Sequence, residues 1–279
     1  MENDYVKDCL KRNVIFFSGK GGVGKSSVAW ATALACQSSG QKVGVVSWNP
    51  LEEAQKEHPL NEFGIPWEIL DPMECFKEYV LRILKFEKIF DLVFENHVLQ
   101  AFLKAMPGLS ETVLAGKIWD MVDKGKYGLL LVDMPASGHA YSFFKTPLGI
   151  DKIFGKGFVH GETQKICNLL IAPTSRIDFV ALPEEMSVVE TIEFKTKLDK
   201  LMNFPYGYLH LNQCLPEFRL EQIPPTLQNA GERYQKSWEA EMRAKTLAKE
   251  LGLKTLEIPR YATEQLKDTV LRIKEALLK

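Results

Sequence analysis

The chain has 279 residues, of which 46% are hydrophobic and 25% are charged, and its formal net charge is −1 at pH 7. This length and composition predict a large buried core, in one α/β domain with an insertion or in two small domains. The balanced charge argues against an overall basic field for nucleic acid or for an acidic membrane surface. We therefore expect no nucleic-acid partner.

The amino-terminal stretch MENDYVKDCLKRN is charged, and the apolar run that follows it, VIFF, is short. This pattern indicates neither a signal peptide nor a membrane span. The cysteines are isolated, odd in number and without a C-x-x-C pair. They predict a reduced, cytoplasmic compartment with no disulfide framework and no sequence-local zinc site.

A glycine-rich segment with the sequence GKGGVGKSS lies between a predicted strand and a predicted helix. Glycines allow backbone turns that point successive N–H groups at phosphate oxygens, and the helix start adds positive potential. In this G-x-x-x-x-G-K-S pattern, Lys25 is predicted to reach the β- and γ-phosphates, Ser26 to ligate Mg²⁺ and Ser27 to bind the α-phosphate. The predicted nucleotide-binding residues of the segment are Gly19, Gly21, Gly22, Val23, Gly24, Lys25, Ser26 and Ser27.

Short apolar runs separated by helical patterns are predicted to be buried strands. They cover residues 14–18, 42–47, 127–133, 178–182, 206–212 and 254–258. This alternation predicts a mainly parallel sheet with helices on both faces. Ligands bind at the carboxyl ends of the strands in such sheets, so the residues at these ends are candidates for a site. They are Ser18, Asn49, Asp133, Pro183, Asn212 and Pro259.

A long helical insertion is predicted between the second and third of these strands, at roughly residues 72–124. Its central apolar face is too wide for an ordinary surface helix. The residues of this face are Phe86, Ile89, Phe90, Val93, Phe94, Val98, Phe102 and Leu103. Two interpretations stay open: packing on a second helical stretch near residues 141–170, or lining a groove for a partner helix.

Four further segments accompany the glycine-rich loop, namely VDMPASGH, AMPGLSE, LPEEMSVVET and LNQ. Together with KGGVGKSS they resemble the ArsA-type ATPases, which include the arsenite-pump ATPase and the ATPase for guided entry of tail-anchored proteins. KGGVGKSS is similar to the deviant Walker A loop that this family shares with MinD and ParA, where the early lysine is the signature residue. VDMPASGH resembles the second switch of the family, and AMPGLSE, LPEEMSVVET and LNQ resemble three further segments. The resemblance implies an α/β P-loop ATPase fold over residues 1–279, with a helical subdomain formed by residues 72–124 and 140–172.

The resemblance also implies ATP and Mg²⁺ as cofactors and assigns roles to single residues. Lys20 would reach across a dimer interface to the phosphates bound by the partner subunit; the alternative is that it only adds potential to its own loop. Asp133 would hold Mg²⁺ directly or through water. Asn212 would contact the adenine edge through its amide, and Pro259 would flank the base.

The first-switch position departs from the family pattern, because Asn49 stands where an aspartate usually orients or deprotonates the attacking water. An amide positions a water but accepts no proton, and losing general-base help costs roughly a hundredfold to ten-thousandfold in rate. ATP binding with weak hydrolysis is therefore predicted. Three alternatives to a naturally weak ATPase remain for the asparagine at position 49: an active partner subunit, an engineered Asp→Asn change, or a substitute base at Glu52 or Glu53.

The first functional interpretation is a dimeric ATP- and Mg²⁺-dependent switch that handles a protein or peptide client through the helical subdomain. The second is a nucleotide-binding regulatory subunit of low turnover, in a heterodimer with an ArsA-type paralogue. The third is a metabolic enzyme of the same loop class. The cysteine pattern supports neither a zinc-clamped dimer nor metalloid capture.

Overall fold

The computed structural model describes residues 3–48, 59–84, 108–216 and 228–279. The strands in these ranges are β1 (Val14–Ser18), β2 (Val43–Ser47), β3 (Trp67–Ile69), β4 (Leu129–Asp133), β5 (Ser175–Ala181), β6 (Tyr206–Cys214) and β7 (Lys254–Pro259). They form one sheet in the order β3-β2-β4-β1-β5-β6-β7, and every neighbouring pair is parallel. The predicted α/β class with a mainly parallel sheet is confirmed.

Helices cover both faces of this sheet. Those described are α1 (Asp4–Cys9), α2 (Lys25–Ser38), α3 (Pro59–Glu62), α4 (Pro72–Leu84), α5 (Leu109–Asp123), α6 (Ser137–Phe154), α7 (Phe158–Ile171), α8 (Glu185–Asp199), α9 (Gln228–Ala248) and α10 (Leu266–Leu277). None of them combines the length and the apolar run that are needed to cross a bilayer.

The sheet separates two hydrophobic cores, because successive side chains of a strand point to opposite faces. In β1, Phe16 packs in the core that also holds α5, α6, α7 and α8. Ile15 and Phe17 pack in the other core, with α1, α2 and α10. The central strands are therefore buried on both faces, which explains why they are continuous apolar runs in the sequence.

Two strands differ from the sequence prediction. The sequence predicts a strand at residues 178–182, whereas β5 begins at Ser175. A search for apolar runs misses the beginning of this strand, because Arg176 and Asp178 are charged. Both residues are nevertheless buried and pair with each other. β3 was not predicted, because it has only three half-buried residues and lies at the edge of the sheet.

The predicted helical insertion is described at its two ends, by α4 and α5. The apolar face from Phe86 to Leu103 lies outside the described residues. α5 packs against α4, α6 and α7, and a groove of about 460 Å³ runs between α4, α5 and α7. Its apolar lining includes Phe76, Leu109, Val113, Trp119, Val159 and Ile166. The division into a subdomain of residues 72–124 and 140–172 stays a prediction.

Candidate functional site

The glycine-rich segment forms the loop between β1 and α2, at the carboxyl edge of the sheet. A Cβ atom at Gly19 would collide with the backbone oxygen of Val180 on β5. Gly24 has a φ of +90°, and a Cβ there would collide with the side-chain amide of Asn212. Only glycine fits this tight turn, and the loop faces solvent at Gly21 and Gly22.

Lys25 begins α2 and folds its side chain back into the loop. Its Nζ donates a hydrogen bond of 2.9 Å to the backbone oxygen of Lys20, and the residue is only 9% exposed. Burial lowers the pKa of Lys25 below its ordinary value, against the opposing charges of Asp133 and Glu190. A cation thus lies beside the first N–H groups of a helix, which have no intrahelical acceptor. This arrangement favours an anion such as phosphate.

Asp133 lies next to the loop because of the register of the sheet. It pairs with Phe17 of β1 on one side and with Ser47 of β2 on the other, and it is 5% exposed. Ser26 is half-buried in the first turn of α2, directly after Lys25. A carboxylate and a hydroxyl are oxygen ligands of the kind that Mg²⁺ prefers, so this donor set fits the predicted metal.

Asn212 on β6 supports the loop from the side opposite Asp133. Its Nδ2 donates a hydrogen bond of 2.9 Å to the backbone oxygen of Val23, and the residue is buried. The sequence did not reveal this contact, which joins residues 189 positions apart. The predicted contact between Asn212 and adenine stays a prediction.

A cavity of about 350 Å³ lies beyond Asn212, between the ends of β5, β6 and β7. Its lining includes Leu182, Pro183, Gln213, Leu215 and Arg260. Gln213 has a φ of +66°, and the backbone N–H of Arg260 donates to the oxygen of Cys214 at 2.8 Å. Pro259 and Arg260 are both exposed at the end of β7, and Arg260 rather than Pro259 lines the cavity.

Lys20, the predicted signature lysine, contacts a carboxylate of its own chain. Its Nζ lies 3.3 Å from Oε2 of Glu190 on α8. Oε1 of Glu190 accepts a hydrogen bond of 2.7 Å from Oγ of Ser137, which begins α6 directly after the VDMPA segment. Glu190 lies in the LPEEMSVVET segment, and the sequence alone predicts no role for this residue.

The first-switch candidates Asn49, Glu52 and Glu53 lie outside the described residues. The described chain stops just before them at Trp48, whose ring stacks on that of Phe143 in α6 at 5.2 Å between centroids. Trp48 therefore anchors the chain next to the helix that follows the VDMPA segment.

The chain is similar in sequence to proteins of one known family. A family model described as anion-transporting ATPase matches residues 12–174, a range that holds the loop and Asp133 but neither Glu190 nor Asn212. The chain is 27% identical over 226 residues to ATPase BagA of Mycobacterium tuberculosis, which covers 71% of this chain and 64% of that protein. The chain thus spans less than two thirds of the length of this relative.

Two further relatives have similar identity. The chain is 27% identical over 188 residues to a protein of Aquifex aeolicus whose name refers to an arsenical pump-driving ATPase, covering 62% of this chain and 47% of that protein. It is 23% identical over 217 residues to ATPase ASNA1 homolog 2 of Paramecium tetraurelia, covering 73% of this chain and 66% of that protein.

Proposed function

The chain belongs to the anion-transporting ATPase family, and on that premise we propose that it is a dimeric, ATP- and Mg²⁺-dependent switch. Its client would be a protein or peptide that contacts the helical layer formed by α4 to α7. A cytoplasmic location and a dimer, made with a second copy or with an ArsA-type paralogue, are parts of the same proposal.

The geometry of Lys25 carries the nucleotide part of the proposal. Its ammonium lies inside the loop between Gly19 and Gly24, and the neighbouring α2 presents backbone N–H groups in the same place. Lys25 would bind the β- and γ-phosphates, while Ser26 and Asp133 would hold Mg²⁺. When bound, Mg²⁺ neutralises charge on the phosphate oxygens. Burial strengthens the attraction between the lysine and the phosphates, because water screens it less.

The path from the loop to the helical layer supports the switch. Asp133 is followed within a few residues by α6, and α6 packs against both α5 and α7. A displacement at the beginning of α6 would therefore move the walls of the groove between α4, α5 and α7. The apolar lining of this groove suits an apolar segment of a client.

One observation favours a second candidate function. Asn49 replaces the aspartate that the family pattern usually has in the first switch, and an amide accepts no proton. The alternative is therefore a nucleotide-binding regulatory subunit of low turnover, paired with a paralogue that hydrolyses ATP.

Sedimentation with and without a non-hydrolysable ATP analogue tests the dimer. We expect the analogue to shift the parent protein from monomer to dimer. Lys20→Ala should bind the nucleotide normally yet dimerise more weakly, because its lysine would act on the phosphates of the other subunit. Lys126→Ala is a matched control, since Lys126 is exposed at the opposite end of β4.

Two outcomes would count against this proposal. A Lys20→Ala variant that dimerises as tightly as the parent would return Lys20 to a local role in its own loop. ATP hydrolysis that appears only after a paralogue is added would favour the regulatory subunit over the self-sufficient switch.

A further inference from the structure

Glu190 joins two parts of the site that lie far apart in the sequence. Its two carboxylate oxygens have different partners: Oε2 lies 3.3 Å from Nζ of Lys20, and Oε1 accepts the 2.7 Å hydrogen bond from Oγ of Ser137. Its negative charge also raises the pKa of Lys25, against the effect of burial. One side chain thus contacts the glycine-rich loop and the beginning of α6.

The position of α8 explains these contacts. α8 begins a short turn after β5, and β5 pairs directly with β1, which leads into the loop. The flanking Ser187 and Thr191 are buried against the protein, so the helix has a fixed rotation that turns Glu190 toward the loop. α8 also packs against α6, which brings Ser137 within reach.

Lys20 is held at both of its ends. Its backbone oxygen accepts the hydrogen bond from Lys25, and its ammonium pairs with Glu190. The side chain is 49% exposed and that of Glu190 is 36% exposed, so the ion pair lies at the surface. A surface ion pair is weak, and a phosphate brought by a second subunit would compete with Glu190 for the same ammonium.

We propose that Glu190 is a positioning residue that holds Lys20 on its own subunit, and that this ion pair opens when ATP-bound subunits associate. The proposal rests on the proposed dimeric function and adds a residue to it. Ser137 orients the carboxylate toward Lys20, which links the position of the lysine to the beginning of α6. Release of Lys20 in one subunit therefore changes the charge beside Ser137 of the same subunit.

The test is Glu190→Gln, which removes the charge but keeps a side-chain oxygen that accepts from Ser137. The dissociation constant of the dimer is measured by sedimentation with a non-hydrolysable ATP analogue. We expect association to become about two- to fivefold tighter for each ion pair that opens, the range that corresponds to one surface ion pair. Glu193→Gln is the matched control, because Glu193 is exposed on the same helix and should leave association unchanged.

A double-mutant cycle separates this effect from simple repulsion between Glu190 and the nucleotide. If Glu190 acts through Lys20, Glu190→Gln should have no effect on association in a Lys20→Ala background. An equal effect in both backgrounds, or weaker association of the Glu190→Gln protein, would overturn the proposal.

A second measurement reports the ion pair without any dimer. The rate at which an amine-reactive reagent modifies Lys20, followed by mass spectrometry, should rise about two- to fivefold in Glu190→Gln while that of Lys126 stays constant. An unchanged rate at Lys20 refutes the ion pair itself. A parent protein that stays monomeric with the ATP analogue refutes the proposed dimer instead, so the two failures are distinguishable.

Discussion

Two buried cations lie close to β1, and they have different surroundings. Arg176 on β5 is 1% exposed and is matched by carboxylates: its Nε lies 2.8 Å from Oδ1 of Asp178, and its Nη1 lies 2.7 Å from Oδ2 of Asp8. The rings of Tyr5 and Tyr208 lie 5.4 and 5.0 Å from its guanidinium carbon. Lys25 instead donates to a backbone carbonyl at the edge of an exposed glycine loop.

The pKa shifts express the same contrast. Burial is the largest single effect and opposes the charge of Arg176, but Asp178, Cys9 and Tyr5 together hold the pKa of the guanidinium above its ordinary value. Burial likewise opposes the charge of Asp178, but Arg176 and His210 hold the pKa of this carboxyl below its ordinary value. The pKa of Lys25 is lowered by burial despite Asp133 and Glu190. A cation matched by its own chain stabilises the fold, whereas Lys25 gains from a further anion.

The first prediction concerns the matched cation. Arg176→Met should lower the free energy of unfolding by about 3–5 kcal/mol, because Asp178 would keep a fully buried charge without its cation. Urea unfolding measures this change. Arg272→Met is the control, since Arg272 is exposed and pairs with Glu275 in the same helix, and it should change stability by less than about 0.5 kcal/mol.

The second prediction concerns Lys25, the cation of the glycine-rich loop, and the affinity for ATP. Lys25→Ala should weaken ATP binding by roughly a hundredfold, about 2.7 kcal/mol, because the phosphates lose a desolvated cation and its charge-assisted hydrogen bond. Isothermal titration calorimetry gives the affinity, and Lys126→Ala serves as the control. Unchanged ATP affinity in Lys25→Ala would contradict the assignment of the phosphate-binding loop. A large loss of folding stability in this variant would show that Lys25, like Arg176, stabilises the fold.

The third prediction concerns a substitution that adds a negative charge at position 49. Asn49→Asp introduces a proton acceptor at the predicted first-switch position and should raise the single-turnover rate of ATP hydrolysis by about tenfold or more. Binding of ATP should hardly change. A flat rate would place the defect elsewhere in the switch or in an absent partner subunit. Vigorous hydrolysis by the unmodified protein would instead indicate that another residue acts as the base, and Glu52 and Glu53 would be the first residues to mutate.

The smallest expected effect concerns the support of the loop. Asn212→Ala removes the hydrogen bond to the oxygen of Val23 and should weaken ATP binding by about 0.5–1.5 kcal/mol, the usual net contribution of one such bond. Fluorescence titration with an ATP analogue resolves this range. Asn61→Ala is the control, because Asn61 accepts a hydrogen bond from Trp67, far along the sheet from the loop. Equal affinity in both variants would show that the loop keeps its shape without Asn212.

Local patterns in the sequence determined the sheet and the glycine-rich loop. The central strands are short apolar runs because both of their faces are buried, and the glycines mark a turn that other residues cannot adopt. Asp133 was also predictable, since it ends a strand and parallel strands end at the same edge. The roles of Asn49 and of the helical insertion remain predictions, because Asn49 and the central part of the insertion lie outside the described residues.

Only the tertiary structure decided which distant side chains meet. Asn212 bonds to the loop across 189 positions, and Arg176 pairs with Asp8 across 168 positions. Ser137 and Glu190 meet only because α6 packs against α8. A polar residue in a sequence does not show whether a neighbour, water or a ligand will satisfy it. That choice depends on the packing of elements far apart in the chain, and it separates Arg176, which belongs to the fold, from Lys25, which belongs to the site.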